Sequence, residues 1–169
     1  MDLTTPRLFG CRPTADNLGL YRLLLNDPAV ALTMGGQRTD QQLTEALDRH
    51  VASWERHGIG PCLLFDRETG DFVGRGGLNH VHVLGHDEVE VGYALLPAFW
   101  GRGLATEVAR TAVHLGLKSY DSIVGFTLPT NTASRHVLEK CGMVYERDFV
   151  HYGLDHVFLR VTRAPGPVG

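Results

Sequence analysis

The segment Leu95–Gly116, LLPAFWGRGLATEVARTAVHLG, holds the pattern that decides the fold. A proline ends an apolar strand, and two glycines with an arginine between them then open a helix. Glycine inside a helix costs about 1 kcal/mol relative to alanine, so two glycines here indicate an unusual backbone or a close approach. The first amides of a helix are unpaired and attract phosphate groups. The segment predicts an anion site, the alternative being an ordinary turn before a helix.

Length and composition are those of one domain. The chain has 169 residues, of which 43% are hydrophobic, and a net charge of −3 without a Lys/Arg block, so no nucleic-acid partner is expected. Three widely spaced cysteines form no C-x-x-C pair, which favours a reducing compartment over a disulfide framework. No apolar run suits a membrane span or a leader. We expect a cytoplasmic protein, with one domain over residues 1–163 and a flexible tail over 164–169.

The hydrophobic pattern predicts seven strands and four helices in a mixed α/β (α+β) fold with a largely antiparallel sheet. The expected order is a strand, two helices near 17–26 and 40–57, three strands, a helix over 103–118, a strand, a helix and two strands. Asp16 is the expected cap of the first helix, and Asp27-Pro28 its expected end. The fourth strand alternates between one face with Val89, Val91, Tyr93 and Leu95 and another with Glu88, Glu90, Gly92 and Ala94.

Two nucleotide-binding motifs do not fit the glycine turn. The P-loop pattern G-x-x-x-x-G-K-[ST] is absent from the sequence. The dinucleotide fingerprint needs a third glycine or alanine where this chain has Thr106, and an acid after the next strand, which Asp121 precedes. An ATP or NAD binder is therefore disfavoured.

The runs EVGYALLPAFWGRGLATEVARTAV (90–113) and TLPTNTASRHVLEKCGM (127–143) resemble the GNAT superfamily of acetyl-CoA-dependent N-acetyltransferases. The likeness is greatest to the Rim-type branch, which acetylates ribosomal-protein N-termini and has small-molecule-acetylating relatives. The opening LTTPRLFGCRPTADNLGLYRLL (3–24) is similar too, so the resemblance spans about residues 3 to 162. It implies a twisted sheet flanked by about four helices, in which two neighbouring parallel strands splay apart and acetyl-CoA lies in the opening.

The resemblance also implies roles for individual residues. The strand end at Tyr93, Ala94 and Leu95 would pair with the pantetheine amides. Asn131 would bond the pantetheine arm, and Ser134 would stand near the thioester sulfur. The amides of the glycine turn would hold the pyrophosphate: Gly101, Arg102, Gly103, Leu104, Ala105 and Thr106. The implied reaction is direct acetyl transfer to a primary amine in a ternary complex, with no metal.

The chemistry requires a neutral amine and hence a general base. A lysine with a pKa near 10.4 is neutral in under about one molecule in a thousand at pH 7, whereas an α-amine near 7.8 is neutral in roughly a tenth. Glu90 is the first candidate for the base and Glu88 the second, because both lie on one strand face. The alternative is an exposed face or an ion pair with a neighbouring arginine such as Arg75. Ser134 or a water would protonate the leaving thiolate.

Departures from the family pattern leave other functions open. Some relatives have a glutamate at the position of Phe126, and many have a tyrosine at that of Leu138. Trp100 is a milder departure, because the family commonly has glutamine or arginine there but the Rim-type branch often has an aromatic residue. These absences motivate a second hypothesis, a non-catalytic acyl-CoA-binding sensor or interaction module. The acceptor would be a small amine or a peptide N-terminus, membranes are not expected as partners, and a homodimer is compatible with the family.

The segment HVHVLGH contains His80, His82 and His86 at spacing that superficially suits a metal. Only Asp87 and Glu88 stand nearby to complete a ligand set. We therefore expect a substrate-side rim at this segment, with one histidine as an alternative base.

Overall fold

A computed structural model describes residues 3–164 of the chain. These residues form a seven-stranded sheet with five α-helices. The strands are β1 (Leu8–Cys11), β2 (Pro61–Asp66), β3 (Phe72–Val83), β4 (His86–Leu95), β5 (Ser122–Thr127), β6 (Val144–His151) and β7 (Leu154–Thr162). The helices are α1 (Leu18–Leu25), α2 (Pro28–Thr33), α3 (Asp40–His57), α4 (Leu104–Gly116) and α5 (Thr132–Lys140). The predicted tail lies outside the described residues from position 165 onward.

The sheet has the order β1-β2-β3-β4-β5-β7-β6. Every neighbouring pair is antiparallel except β4 and β5, which are parallel and joined through α4. A parallel pair needs such a crossover, because a tight turn reverses the strand direction. The predicted mixed, largely antiparallel fold is confirmed.

The early helices differ from the expectation in two places. Asp27 and Pro28 start α2 instead of only ending α1, since the Asp27 side chain accepts hydrogen bonds from the amides of Ala29 and Val30. Proline suits the first position of a helix, where no amide partner is needed. The cap before α1 is not Asp16: the Asn17 side chain accepts from the amide of Thr14 at 2.7 Å. The structure therefore has five helices where four were expected.

The two faces of the sheet carry separate cores. Val89, Val91 and Leu95 pack with the apolar side of α4 on one face. Ala94 packs with α1, α2 and α3 on the other, opposite to Tyr93. The predicted alternation along β4 is thus confirmed, and Glu90 points to the face covered by the first three helices.

The β4–β5 junction opens the sheet. Glu90 and Val124 form the one register pair between these strands, whereas β3 and β4 are paired from Gly74 with Leu95 to Val83 with His86. The part of β4 after Glu90 consequently has an unpaired edge toward β5. This edge leads directly into the glycine turn. The strand end predicted to bind pantetheine therefore adjoins the turn predicted to bind the pyrophosphate.

Within residues 3–164, no helix combines the length and the apolar character needed to cross a bilayer.

Candidate active site in the opening between β4 and β5

The glycine turn has a left-handed backbone at two positions. Gly101 has φ 70° and Gly103 has φ 74°, and both residues are exposed. A Cβ on Gly101 would contact nothing within 4 Å, and one on Gly103 would meet only the Arg7 guanidinium, at 3.8 Å. The backbone angle therefore requires glycine here, and the space around the turn stays open.

The turn delivers the amides of α4 to this open space. Gly103 is the N-cap of α4 and provides no side-chain cap. In contrast, Thr39 caps α3 and Asn131 caps α5 through their side chains. The first-turn amides of α4 are those of Leu104, Ala105 and Thr106, and this uncapped end with its partial positive charge is a place for an anion.

The N-terminal segment braces the turn, which the sequence analysis did not anticipate. The Arg7 Nε donates to Glu107 Oε2 at 2.7 Å, and its Nη1 donates to the Arg102 carbonyl at 2.9 Å. The Thr5 hydroxyl donates to Glu107 Oε1 at 2.6 Å. Partial burial raises the pKa of Glu107, but the hydrogen bonds from Thr5 and Arg7 outweigh it and hold that pKa below its usual value. The brace therefore stays charged at neutral pH.

The start of α5 lies against β4. The Tyr93 hydroxyl donates to the Ser134 carbonyl at 2.9 Å and lies 3.0 Å from Ser134 Oγ. Burial raises the pKa of Tyr93 far above its usual value, so the phenol stays protonated. The Asn131 side-chain oxygen accepts from the Ser134 amide at 3.1 Å, which leaves its NH₂ group for other partners. Tyr93, Asn131 and Ser134 thus form one polar group beside the opening.

One backbone carbonyl at the end of β4 already accepts a hydrogen bond from within the protein. The Trp100 indole Nε1 donates to the Leu95 carbonyl at 2.7 Å and ties the strand end to the glycine turn. The Leu95 carbonyl is thus a poorer candidate for a pantetheine amide than the sequence suggested. Leu138, at the position of the family tyrosine, is 2% exposed and part of the core. Phe126 packs among Phe149 and Phe158.

Glu88 is held by an arginine from a distant strand. Arg160 Nη1 and Nη2 donate to its two oxygens at 3.0 and 2.7 Å, and Arg160 also binds Ser122 and Glu146. Both oxygens of the carboxylate are thus occupied by charge-assisted hydrogen bonds. Glu88 is engaged in an ion pair and stays the second candidate for the base.

Glu90 has the opposite environment. It is half-buried, and its carboxylate accepts no hydrogen bond from residues 3–164 and forms no ion pair with them, including the one considered with Arg75. Burial raises the pKa of Glu90 to about 7, against the nearby positive charge of Arg75, which lowers it. Oε1 lies 3.9 Å from the position that a Cβ on Gly92 would occupy. The carboxylate thus extends along β4 toward the open half of the strand.

The three histidines of segment 80–86 do not come together. The ring centroids of His80 and His57 lie 4.0 Å apart with tilted planes, His82 Nδ1 pairs with Asp87 at 2.8 Å, and His86 is exposed. In the described part of the chain, no three His, Cys, Asp or Glu side chains are grouped to hold a metal ion.

A groove of about 400 Å³ runs between the C-terminal half of α3 and residues Asn79 and His80 of β3. Asn79 is the register partner of Glu90. The groove therefore borders the strand position next to Glu90. His80 also lines the groove, and the expected substrate-side role of this segment stays a prediction.

Comparison with known proteins gives consistent matches. A family profile described as "Acetyltransferase (GNAT) domain" matches residues 10–144. The chain is 29% identical over 148 residues to the Bacillus subtilis (strain 168) protein YkkB, with 86% of each protein covered.

Solved structures share the fold. An acetyltransferase from Agrobacterium tumefaciens str. C58 superimposes with a TM-score of 0.82 at 23% identity, covering 95% of this chain and 94% of that one. A RimL ribosomal L7/L12 α-N-protein acetyltransferase in complex with coenzyme A has a TM-score of 0.75 at 14% identity, covering 96% and 97%.

Proposed function

This chain belongs to the GNAT acetyltransferase family, and we propose that it transfers the acetyl group of acetyl-CoA directly to a primary amine within a ternary complex. It is an acetyl-CoA-dependent acetyltransferase; the amine acceptor and the residue roles are the proposal. The observation that carries it is Glu90, an unpaired, half-buried carboxylate at the point where β4 and β5 separate.

The residues in the opening fit acetyl-CoA as co-substrate. The open edge of β4 after Glu90 offers backbone groups to the pantetheine amides. The glycine turn and the uncapped start of α4 offer amides to the pyrophosphate, and Arg102 adds an exposed guanidinium. The solved RimL structure of the same fold holds coenzyme A, which supports this assignment. We assign no part to a metal ion.

Glu90 is assigned as the general base. Its pKa of about 7 matches neutral pH, at which a base combines a large deprotonated fraction with useful basicity. Glu90 takes the proton from the amine as the new C–N bond forms and the C–S bond of the thioester breaks. The step starts from the neutral amine, a form that a lysine-like amine rarely adopts in water.

Ser134 is assigned to the leaving group. Its hydroxyl lies 3.0 Å from the Tyr93 hydroxyl and would donate a hydrogen bond to the departing thiolate, which then takes its proton from water. A thiol with a pKa of about 8.5 is a good leaving group, and strong acid catalysis is not required. This arrangement supplies the function for which many relatives use a tyrosine on the helix.

The remaining assignments follow from composition. We place the protein in the cytoplasm, because the cysteine spacing indicates a reducing compartment. The acceptor is a small amine or a peptide N-terminus, and we assign no nucleic-acid partner because the sequence has no Lys/Arg block.

The test measures coenzyme A release by thiol detection while acetyl-CoA and a panel of amines are varied. Intersecting initial-rate lines are expected for a ternary complex, whereas parallel lines would indicate an acetyl-enzyme. A thermal-shift titration with acetyl-CoA, CoA, ATP and NAD accompanies it, in which a ligand at 100 times its Kd stabilises by about 2.7 kcal/mol. Stabilisation by CoA without acetylation of any amine would favour the non-catalytic binding module instead.

A further inference from the structure

An arginine without an anionic partner lies on the acceptor face of the sheet. Arg75 of β3 stands opposite Leu63 and Ala94, which both pack against the layer of α1, α2 and α3. Its side chain therefore shares the face of Glu90. Arg75 Nε is buried without a hydrogen bond, and within residues 3–164 the guanidinium forms no ion pair.

A second guanidinium approaches from the loop before α3. The backbone of Arg38 is fixed on both sides by Asn26, whose Oδ1 accepts from the Arg38 amide at 2.8 Å and whose Nδ2 donates to its carbonyl at 2.9 Å. The Arg38 guanidinium makes one long hydrogen bond, from Nη2 to the Met34 carbonyl at 3.3 Å, and its Nη1 is buried without a hydrogen bond. Two guanidinium groups thus keep buried N–H donors unused.

The charges around these donors are mostly positive. Burial lowers the pKa of Arg38, and the neighbouring Arg75 and Arg49 lower it further. Burial also lowers the pKa of His50 well below its usual value, so its ring is neutral and lies 2.6 Å from the Tyr21 hydroxyl. Burying cations without a counter-charge is unfavourable, and within residues 3–164 no carboxylate forms an ion pair with Arg38 or Arg75. The missing counter-charge is therefore expected from a bound molecule.

The geometry relates this cluster to the reacting amine. Arg75 lies four residues along β3 from Asn79, the register partner of Glu90, which is about 13 Å at 3.3 Å per residue. The Glu90 carboxylate extends toward Gly92, opposite Gly77, so the strand between the two charges carries glycines and leaves room. A small molecule can place an amine at Glu90 and an acid at the arginines on one face.

We propose that the acceptor is an amine that also carries a carboxylate, such as a free amino acid, and that Arg75 and Arg38 bind the carboxylate while the amine meets Glu90. This inference rests on the proposed acetyl transfer. A planar guanidinium group can donate two parallel hydrogen bonds to a carboxylate, which fixes the orientation of that carboxylate. A phosphate would meet the same donors, so the test separates the two anions.

The experiment compares each α-amino acid with its own amide as acceptor, by kcat/KM. An amide has the less basic α-amine and is more often neutral, so chemistry alone favours the amide. We expect the wild-type protein to favour the acid of at least one pair, and Arg75→Gln to lose at least about tenfold of that preference. Arg75→Lys, which keeps the charge without the fork, should fall between. Arg22→Gln is the matched control, because Arg22 on α1 is already paired with Asp40.

Two results would overturn the inference while acetyl transfer itself stands. One is equal rates for every amino acid and its amide, and the other is an unchanged preference in Arg75→Gln. If 2-aminoethyl phosphate is preferred to ethanolamine while no amino acid is preferred to its amide, the arginines bind a phosphate and the carboxylate assignment is wrong. If CoA binds and no acceptor is consumed, the same pairs are compared by thermal shift of the CoA complex, with the same expectations. No thermal shift from CoA would instead remove the proposed function.

Discussion

Glu88 and Glu90 stand two residues apart on one face of β4, and their environments are opposite. Glu88 receives two hydrogen bonds from Arg160, which also binds Glu146 and so connects β4 to β6 and β7. Glu90 accepts no hydrogen bond within residues 3–164, and burial raises its pKa to about 7. Two glutamates on one strand face thus have different surroundings, one paired with an arginine and the other unpaired, and burial sets the proton affinity of the unpaired one.

The contrast continues along the strand. On the side of Glu88 a distant arginine ties the strands together, whereas after Glu90 the β5 edge of β4 is unpaired. Glu90 sits at the boundary between the closed region and the open region. The molecule thus places its one uncompensated carboxylate on β4 where a ligand can reach it.

The largest effect is expected from Glu90→Gln. The glutamine keeps the shape but cannot take a proton, and loss of a general base lowers kcat by about 10²–10⁴-fold. Glu88→Gln is the matched control and should keep most of kcat while losing stability. Steady-state thiol-release kinetics measure both variants. Equal losses of kcat in the two variants would remove the distinction between the carboxylates.

The open region is tested next with Gly103→Val, against Gly70→Val in the turn between β2 and β3. Both glycines are exposed with φ 74° and 78°, so both variants carry a similar backbone strain of about 1–3 kcal/mol. Only Gly103 lies at the start of α4. We expect the CoA Kd to rise at least about tenfold in Gly103→Val and to stay near wild type in Gly70→Val, measured by calorimetry. Unchanged affinity in Gly103→Val would mean that the turn is structural.

The pH dependence of kcat follows from the direction of the Glu90 shift. A base must be deprotonated, and a pKa of about 7 predicts a rise in kcat of about tenfold between pH 6 and 8. Arg75 lowers that pKa, so Arg75→Gln should move the rise to higher pH. Glu88→Gln should leave it in place. A profile that moves equally in both variants would show that Glu90 is not the group observed.

The smallest effect is on stability. The pKa of Glu90 is raised on folding from 4.5 to about 7, so between these values the folded state binds more protons than the unfolded state. Stability from this group is therefore present at low pH and lost as pH rises. Glu90→Gln avoids the loss, so we expect its stability relative to the wild type to increase by about 2–3 kcal/mol between pH 5 and pH 8. Urea unfolding at both pH values measures this, and a constant difference would contradict it.

Local patterns in the sequence predicted the features that depend on near neighbours. The alternation along β4 and the unusual backbone of the glycines before α4 each depend on one short segment, and both were confirmed, whereas the anion site stays a prediction. Asp27-Pro28 was misread because an acid followed by proline both ends one helix and begins another. The tail and the individual cofactor contacts stay predictions.

Distant partners explain what the sequence could not separate. Arg160, which commits Glu88, lies 72 positions further along the chain, and Glu107 lies 100 positions from Arg7. The alternation assigned Glu88 and Glu90 the same face and therefore the same candidacy. Only the folded arrangement shows which one is paired.

The unpaired edge of β4 has a further consequence for handling the protein. An open strand edge is a template for pairing with another chain, and natural proteins usually block it with charges, bulges or a covering element. In the proposed complex the pantetheine arm of acetyl-CoA would cover this edge. We therefore expect the ligand-free protein to self-associate more readily than the CoA complex, so dialysis against CoA should keep concentrated samples clear.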